Sequence, residues 1–327
     1  MIDKIIVKPL AAESLGARSM CTYVVTPDVQ ILLDAGVSLC PYRFGLPPHP
    51  LEFENIENLR KSIAKVADQV EVVTISHYHF DHHTPSFEDW VVNWTEKDET
   101  ARQIYKDKIV IMKNPLENIN RSQLERARNF RKTTGKYAKM LHEADGQAFS
   151  FGDTKIRFSE SVPHGFERSG LGWVVMATIE YGDERFLFAP DVQGPMSERT
   201  LDLILKEGPE VVMVGGPPFY LEGSRVDESH IRDGLDNLGR LAEKIPVTIM
   251  EHHALRGLNW NQKIEEIKAA ALRSEHKIQT AAEYLKEENN FLEVRRKKLF
   301  ELYPPSREFE EWCRLSSEEM THTKPPI

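Results

Sequence analysis

Four side chains that commonly bind metals, His77, His79, Asp81 and His82, lie within six positions of the sequence. They directly follow residues 70–76, an apolar run that is typical of a buried strand. In an extended segment, residues two apart point to the same side, so His77 and His79 can bind one cation while a turn brings Asp81 and His82 toward a second. Burying these groups without a metal would be costly, because each brings polar atoms that need partners. The run therefore predicts a metal site at the end of a strand.

Further histidines lie at other predicted strand ends. Seven of the 12 histidines fall where a predicted strand gives way to a loop. Three of them belong to the run, and the other four are His83, His164, His252 and His253. Scattered surface histidines would not share this position. Neutral imidazoles with a carboxylate suit zinc, and the usual order of divalent-metal affinities keeps iron and manganese as alternatives.

Strand and helix patterns occur in both halves of the chain. Strands are predicted at residues 5–7, 22–25, 30–33, 70–76, 109–112, 211–214 and 247–250, with a meander over residues 154–190. Helices are predicted at residues 56–66, around residue 103, and at residues 122–141 and 227–243. Beyond residue 261 the strand pattern stops, and a capping box at Thr280 and Glu283 indicates helix. Periodicity alone predicts an α/β or α+β fold, as a two-sheet sandwich would require.

Composition narrows the classes of function. The 327 residues are 40% hydrophobic, enough for one large domain or two ordinary ones. The net charge of −9 disfavours a protein that coats nucleic acid, although the basic residues between 121 and 139 keep a local nucleic-acid interface as an alternative. The apolar runs fall far short of the roughly 20 residues of a membrane span, and residues 1–12 lack the apolar core of a secretory signal. Three separated cysteines, Cys21, Cys40 and Cys313, predict neither a disulfide framework nor a thiolate zinc site, and favour the cytoplasm.

The run of metal-binding residues resembles the H-x-H-x-D-H signature of the metallo-β-lactamase-fold hydrolase superfamily. The rest of the superfamily pattern is matched in order by Asp34, Pro163-His164-Gly165, Ala189-Pro190-Asp191 and the His252-His253 pair. More closely, residues 12–16, 75–79, 118–120 and 215–218 are similar to an uncharacterised, largely archaeal family within that superfamily, over essentially the whole chain.

The resemblance implies a four-layer αβ/βα sandwich with its site at one edge, between two mixed sheets. Residues 1–260 would form the metallo-β-lactamase-like domain, and residues 261–327 a C-terminal helical extension packed on it. A dimer contact is the alternative role for those helices.

The resemblance also implies a set of metal ligands. His77, His79 and His164 would hold one divalent ion, Asp81, His82 and one of His252 or His253 the other, with Asp191 bridging. Asp34 would lie behind the ligands and accept a ring N–H, with an ordinary turn cap as its alternative role. His83 and Glu251 would support the ligands or begin a helix.

Such a site predicts a dinuclear hydrolase that uses a metal-bridging hydroxide, with Asp81 and Asp191 as catalytic residues. A phosphoester or phosphodiester is the preferred substrate, and a carbonyl ester, lactone or thioester is the alternative. An iron-dependent sulfur dioxygenase and a non-catalytic binding module are further alternatives. Tyr42, Arg43 and Arg168 lie in loops that could border the site and contact an anionic substrate.

Overall fold

Two β-sheets packed face to face form the centre of the protein, for which a computed structural model describes residues 2–327. The first sheet has six strands in chain order: β1 (Ile6–Pro9), β2 (Thr22–Val25), β3 (Gln30–Leu33), β4 (Val72–Ile75), β5 (Ile109–Met112) and β6 (Met140–Glu143). β1, β2 and β3 pair in antiparallel fashion, and the strands from β3 to β6 pair in parallel.

The second sheet has seven strands in the order β15-β14-β13-β12-β11-β8-β7, and β9 and β10 form a separate pair. The bounds are β7 (Ala148–Phe151), β8 (Thr154–Phe158), β9 (Val162–Pro163), β10 (Trp173–Val174), β11 (Ala177–Tyr181), β12 (Glu184–Ala189), β13 (Val211–Gly215), β14 (Val247–Glu251) and β15 (Lys277–Gln279). From β12 to β15 the strands run in parallel.

Eleven α-helices are present in residues 2–327. They are α1 (Pro50–Ala67), α2 (Lys97–Tyr105), α3 (Arg121–Lys132), α4 (Glu198–Glu207), α5 (Glu228–Lys244), α6 (Trp260–Lys263), α7 (Glu265–Arg273), α8 (Ala281–Tyr284), α9 (Arg296–Leu302), α10 (Arg307–Trp312) and α11 (Ser317–His322). No helix among the described residues combines the length and apolar character needed to cross a membrane.

Three hydrophobic cores separate four layers. Residues such as Val72 and Phe186 fill the space between the two sheets. The outer face of the first sheet is covered by α1, through Phe53 and Ile56, and by residues of the C-terminal helices. The outer face of the second sheet is covered by α4, α5 and α7. The layers are therefore helix, sheet, sheet and helix, which confirms the predicted αβ/βα sandwich with helices at its C-terminal end.

The carboxyl ends of several strands meet at one edge of the sandwich. β4 ends at Ile75, directly before the histidine run, and β12 ends at Ala189, two residues before Asp191. β14 runs parallel to β13, which runs parallel to β12, and β14 ends at Glu251. Parallel neighbours bring their carboxyl ends to the same edge of a sheet, so this arrangement gathers distant parts of the chain.

Three secondary-structure predictions are wrong in detail. The helix predicted for residues 122–141 ends at Lys132, because the chain then turns and pairs as β6 in parallel with β5. Residues 277–279, predicted as part of an all-helical segment, form β15 against β14. The meander over 154–190 is interrupted, because residues 159–176 leave the sheet as a loop with the short β9 and β10. The capping box at Thr280 and Glu283 is confirmed.

Candidate metal centre

Three imidazoles surround one oxygen of Asp191. Nε2 of His164 lies 2.8 Å from Oδ2 of Asp191, Nε2 of His77 lies 3.2 Å from it, and Nδ1 of His79 lies 3.9 Å from it. The four residues each offer one ligand atom, and these atoms all lie within 4.8 Å of one another. Only His79 is open to solvent, with 25% of its side chain exposed. The structure thus brings together the four residues predicted around the first ion.

A second group lies on the other side of Asp191. Asp81, His82 and His252 also offer ligand atoms within 4.8 Å of one another. Nε2 of His252 lies 3.4 Å from Oδ2 of Asp81 and 3.1 Å from Oδ1 of Asp191. Nε2 of His82 lies 3.3 Å from Oδ2 of Asp191. Asp191 therefore stands between the two groups and contacts both, the position expected of a bridging carboxylate.

The backbone at the site takes unusual conformations. Asp34, Asp191 and His252 have φ angles of 49°, 51° and 65°, in the left-handed region that residues other than glycine rarely adopt. Such conformations persist only where the surroundings enforce them, and they cluster at functional sites. Close backbone contact is one such constraint, since a Cβ on Gly36 would lie 2.4 Å from the backbone nitrogen of His83. Only glycine fits there, and it allows the segment after β3, which carries Asp34, to pack closely against the histidine run.

Asp34 lies behind the ligands and contacts one of them. Its Oδ2 lies 2.8 Å from Nδ1 of His82 and also accepts the hydroxyl of Ser76, while Oδ1 accepts the backbone N–H of Ser76 at 2.8 Å. With Asp34 holding the proton on Nδ1, Nε2 is the nitrogen of His82 that is available to a metal ion. Asp34 thereby fixes the ring orientation and tautomer of His82.

We expect the Asp34→Asn variant to bind the ion on the His82 side about 10- to 100-fold more weakly, because the amide no longer holds the His82 tautomer. Competition with a chromophoric chelator would measure both metal equivalents. Asp28→Asn is the control, since Asp28 also accepts backbone N–H groups, from Asp153 and Thr154, away from the centre. Equal affinities in the two variants would contradict this role of Asp34.

His252 and His253 both reach Asp191, contrary to the expectation that adjacent strand residues face opposite ways. β14 ends at Glu251, and residues 252–256 form a 3₁₀ turn in which both rings point to the centre. The Nε2 atom of His253 lies 3.5 Å from Oδ1 of Asp191, but it is His252 that also contacts Asp81. The Nδ1 atom of His253 faces the hydroxyl of Tyr220 at 3.2 Å. The geometry favours His252 for the second group and puts His253 at its more exposed side.

His83 and Glu251 lie outside the ligand cluster. Nδ1 of His83 bonds the carbonyl oxygen of His79 at 3.0 Å, and its ring packs against Tyr78 and Phe130. Glu251 accepts the hydroxyl of Ser14, the backbone N–H of Ala281 and that of His252. Both side chains hold the backbone of the segments that carry ligands.

The predicted substrate residues differ in position. Tyr42 is exposed, but Arg43 donates to the carbonyl oxygen of Arg256 at 2.7 Å and packs on the ring of Tyr220. Arg43 therefore supports the turn that follows His252. Arg168 is exposed in the loop after His164. The structure does not bring these three side chains together.

Sequence reasoning missed a buried ion pair beside the second group. Arg256 donates from Nε to Glu13 at 2.5 Å, and its Nη2 lies 3.3 Å from Nδ1 of His252 and 3.7 Å from Oδ2 of Asp81. Glu13 and Arg256 are 6% and 4% exposed. The position of Glu13 within the family-like segment 12–16 was a signal, but its pairing with Arg256 has no local sequence pattern.

The charge states of the cluster suit metal ligands. Burial would raise the pKa of Asp191, but the surrounding imidazoles, His252 first, outweigh it and hold that pKa well below its usual range. Burial also acts to raise the pKa of Asp81, but the imidazoles of His252 and His82 outweigh it and lower that pKa. Burial lowers the pKa of His77 well below its usual range, so this ring is neutral. Burial also lowers the pKa of His82, but the Asp191 carboxylate outweighs it and raises that pKa well above its usual range.

A metal must displace the proton on His82, so we expect metal affinity to fall as the pH falls.

Several polar atoms in the cluster have no partner in residues 2–327. Nε2 of His82, Nε2 of His164 and Oδ1 of Asp191 are buried and form no hydrogen bond. Buried polar atoms normally form hydrogen bonds, and these three belong to residues of the two groups of ligand atoms. The donor set of neutral imidazoles and ionised carboxylates fits a pair of divalent cations.

The fold and this arrangement define a protein of the metallo-β-lactamase fold. The metallo-beta-lactamase fold protein YhfI from Bacillus subtilis matches with a TM-score of 0.50 over 88% of this chain and 99% of that one, at 12% identity, a likeness of fold alone. No protein-family model matches the chain.

Sequence relatives give the family. A UPF0282 protein of Methanopyrus kandleri is 42% identical over 293 residues, covering 90% of this chain and 98% of that protein. A UPF0282 protein of Methanocaldococcus jannaschii is 40% identical over 292 residues, covering 89% and 95%. The chain belongs to the UPF0282 family, which confirms both the superfamily and the archaeal family expected from its motifs.

Proposed function

We propose that the protein is a dinuclear metal-dependent hydrolase whose preferred substrate is a phosphoester or phosphodiester. The observation that carries this proposal is the convergence of His77, His79 and His164 on one oxygen of Asp191, with His252 beside its other oxygen. These residues come from four separate strand ends, and a fold of this kind gathers them at one open edge.

The ligand roles follow the two groups. We assign His77, His79 and His164 to one ion, Asp81, His82 and His252 to the other, and Asp191 to both. When bound, two such ions supply a water made acidic enough to act as a nucleophile at neutral pH, and they polarise the attacked oxygen. Zinc is our preferred metal because imidazole nitrogens outnumber carboxylate oxygens, with iron and manganese as alternatives.

The chain itself contributes orientation and proton handling. Asp81 is ionised and lies 3.4 Å from Nε2 of His252, at the partly exposed side of the second group, where it can accept a proton from an attacking water. Arg256 holds Asp81 and His252 in place through its Nη2 atom. No serine or cysteine nucleophile is required.

Phosphoesters are preferred over carbonyl substrates because cations lie near the centre. Arg126 contacts the ligand run and Arg168 lies in the loop after His164. A guanidinium beside the ligand run favours an anionic group, whereas a neutral ester gains nothing from it. The substrate is a small molecule or a phosphoester, nucleic acid being less favoured, and three free cysteines support a cytoplasmic location.

A substrate panel tests the proposal. Protein reconstituted with zinc, iron or manganese is expected to hold two metal equivalents, to hydrolyse bis(p-nitrophenyl) phosphate or p-nitrophenyl phosphate, and to lose this turnover with a chelator. Metal analysis and p-nitrophenol release are the measurements. Turnover of only p-nitrophenyl acetate, a lactone or an acyl thioester would contradict the phosphoester preference. Oxygen uptake with a persulfide substrate would instead identify a sulfur dioxygenase, and binding without any turnover a non-catalytic module.

A further inference from the structure

Arg126 of α3 is a half-buried cation whose hydrogen-bonding capacity is largely unused. One hydrogen bond, from Nη1 to the carbonyl oxygen of Tyr78, is long at 3.3 Å. No aspartate or glutamate within residues 2–327 forms an ion pair with it. Its Nε and Nη2 atoms have no partner and are not sealed from solvent. The guanidinium therefore keeps N–H groups available for an incoming ligand.

The position of Arg126 is fixed by the ligand run itself. Tyr78 stands between His77 and His79, and the guanidinium carbon of Arg126 lies 4.8 Å from the centre of the Phe80 ring, which follows His79. A guanidinium on an aromatic face is held in orientation without its N–H groups being consumed. Burial lowers the pKa of Arg126, while the Asp81 carboxylate acts against this, which places the cation within electrostatic reach of that carboxylate.

The same helix also contacts the loop that follows His164. Nδ2 of Asn120 donates to the carbonyl oxygen of Gly170 at 3.0 Å, and Nε2 of Gln123 donates to that of Trp173 at 3.3 Å. Arg126 lies one turn further along α3, against the histidine run. Helix α3 thus contacts both the segment that supplies His79 and the loop that follows His164, and Arg126 lies against the first of these.

Two other arginines near the centre, Arg256 and Arg43, already have partners. Arg256 is buried and paired with Glu13 at 2.5 Å. Arg43 donates to a backbone carbonyl oxygen and lies 3.7 Å from Glu293. A partly desolvated guanidinium costs free energy unless an anion compensates it, and no carboxylate in residues 2–327 forms an ion pair with Arg126. A substrate anion would provide that compensation.

We propose that Arg126 binds a non-bridging phosphoryl oxygen of the substrate and so selects anionic phosphoesters at the metal centre, an inference that rests on the proposed hydrolase function. The planar fork of a guanidinium donates to two phosphoryl oxygens at once, which the ammonium of lysine cannot reproduce. Arg126 is thereby the group that distinguishes an anionic from a neutral substrate.

Inorganic phosphate is the probe that tests this, with calorimetric titration of the metal-reconstituted protein. Arg126→Met keeps the aliphatic stem on Phe80 but removes the charge, and we expect it to weaken phosphate binding by about 10- to 100-fold, the range for losing a charge-assisted hydrogen bond. Arg126→Lys is expected to fall between Met and wild type. Arg128→Met is the matched control, because Arg128 is exposed on the same helix and its loss should change binding by less than about twofold.

Substrate kinetics give a second readout. In Arg126→Met the KM for bis(p-nitrophenyl) phosphate is expected to rise, while two metal equivalents remain and hydrolysis of p-nitrophenyl acetate, where present, is unchanged. Equal phosphate affinity in Arg126→Met and wild type, or an equal loss in Arg128→Met, overturns the inference, and so does loss of metal from Arg126→Met. A wild-type protein that binds phosphate through Arg126 yet cleaves no phosphoester contradicts the proposed function and leaves the anion site standing.

Discussion

The Asp191→Asn variant is expected to lose turnover by about 100- to 10,000-fold and to retain fewer than two metal equivalents. Oδ2 of Asp191 lies within 3.9 Å of ring nitrogens of four histidines, and Oδ1 lies within 3.5 Å of two more. An asparagine amide removes the negative charge and turns one acceptor into an N–H donor that faces ring lone pairs. Losing this contact to both ions is expected to raise the activation barrier by about 3 to 5 kcal/mol, which gives the fold-change stated.

Metal analysis and steady-state kinetics measure this effect, and circular dichroism checks that the fold is intact. Asp183→Asn is the control, because Asp183 is exposed in the turn that leads into the same strand, β12. Full metal content and wild-type turnover in Asp191→Asn would contradict the bridging role of Asp191 and the proposal of two metal ions.

The Arg296→Met variant is expected to lower the free energy of unfolding by about 3 to 5 kcal/mol. Arg296 and Glu52 are both 0% exposed and are joined by two bonds of 2.7 and 2.8 Å. Arg296 also donates to the carbonyl oxygens of Cys40 and Leu46. Methionine fills the space but leaves the Glu52 carboxylate buried without a counter-charge, which is the costly part of the change.

Urea unfolding monitored by tryptophan fluorescence measures this loss. Arg295→Met is the control, since Arg295 is the preceding residue and is exposed. The double variant Glu52→Gln with Arg296→Met should recover part of the stability, because no unpaired charge remains. A loss below about 1 kcal/mol in the single variant would show that the ion pair is dispensable.

Local signals in the sequence predict the strand ends that carry the candidate ligands, and the family resemblance predicts the sandwich fold. The run from His77 to His82 directly follows an apolar strand, and Asp191 and His252 follow β12 and β14, which both run parallel to β13. Residue type and strand-end position marked the candidate ligands, and the resemblance to the metallo-β-lactamase-fold superfamily supplied the expectation that they converge. The division at residue 260 stays a prediction.

The features that sequence reasoning missed depend on contacts between distant segments. The partnership of Arg256 with Glu13 spans 243 positions, and nothing near either residue indicates it. β6 and β15 form because β5 and β14 offer open edges, which overrides the helical character of the local sequence. The sequence did not decide between His252 and His253, because the direction of each ring depends on the residue at which β14 ends.

The ligand groups are carried by different sheets, and this constrains the interior between them. His77 and His82 follow a strand of the first sheet, whereas Asp191 and His252 follow strands of the second. A substitution at Val72 or Phe186, in the core between the sheets, is expected to shift one sheet against the other and so to alter the spacing between the two groups of ligand atoms. These apolar contacts should therefore influence the geometry of the proposed metal centre as well as stability, and tolerance to repacking should be lower there than under α1 or α5.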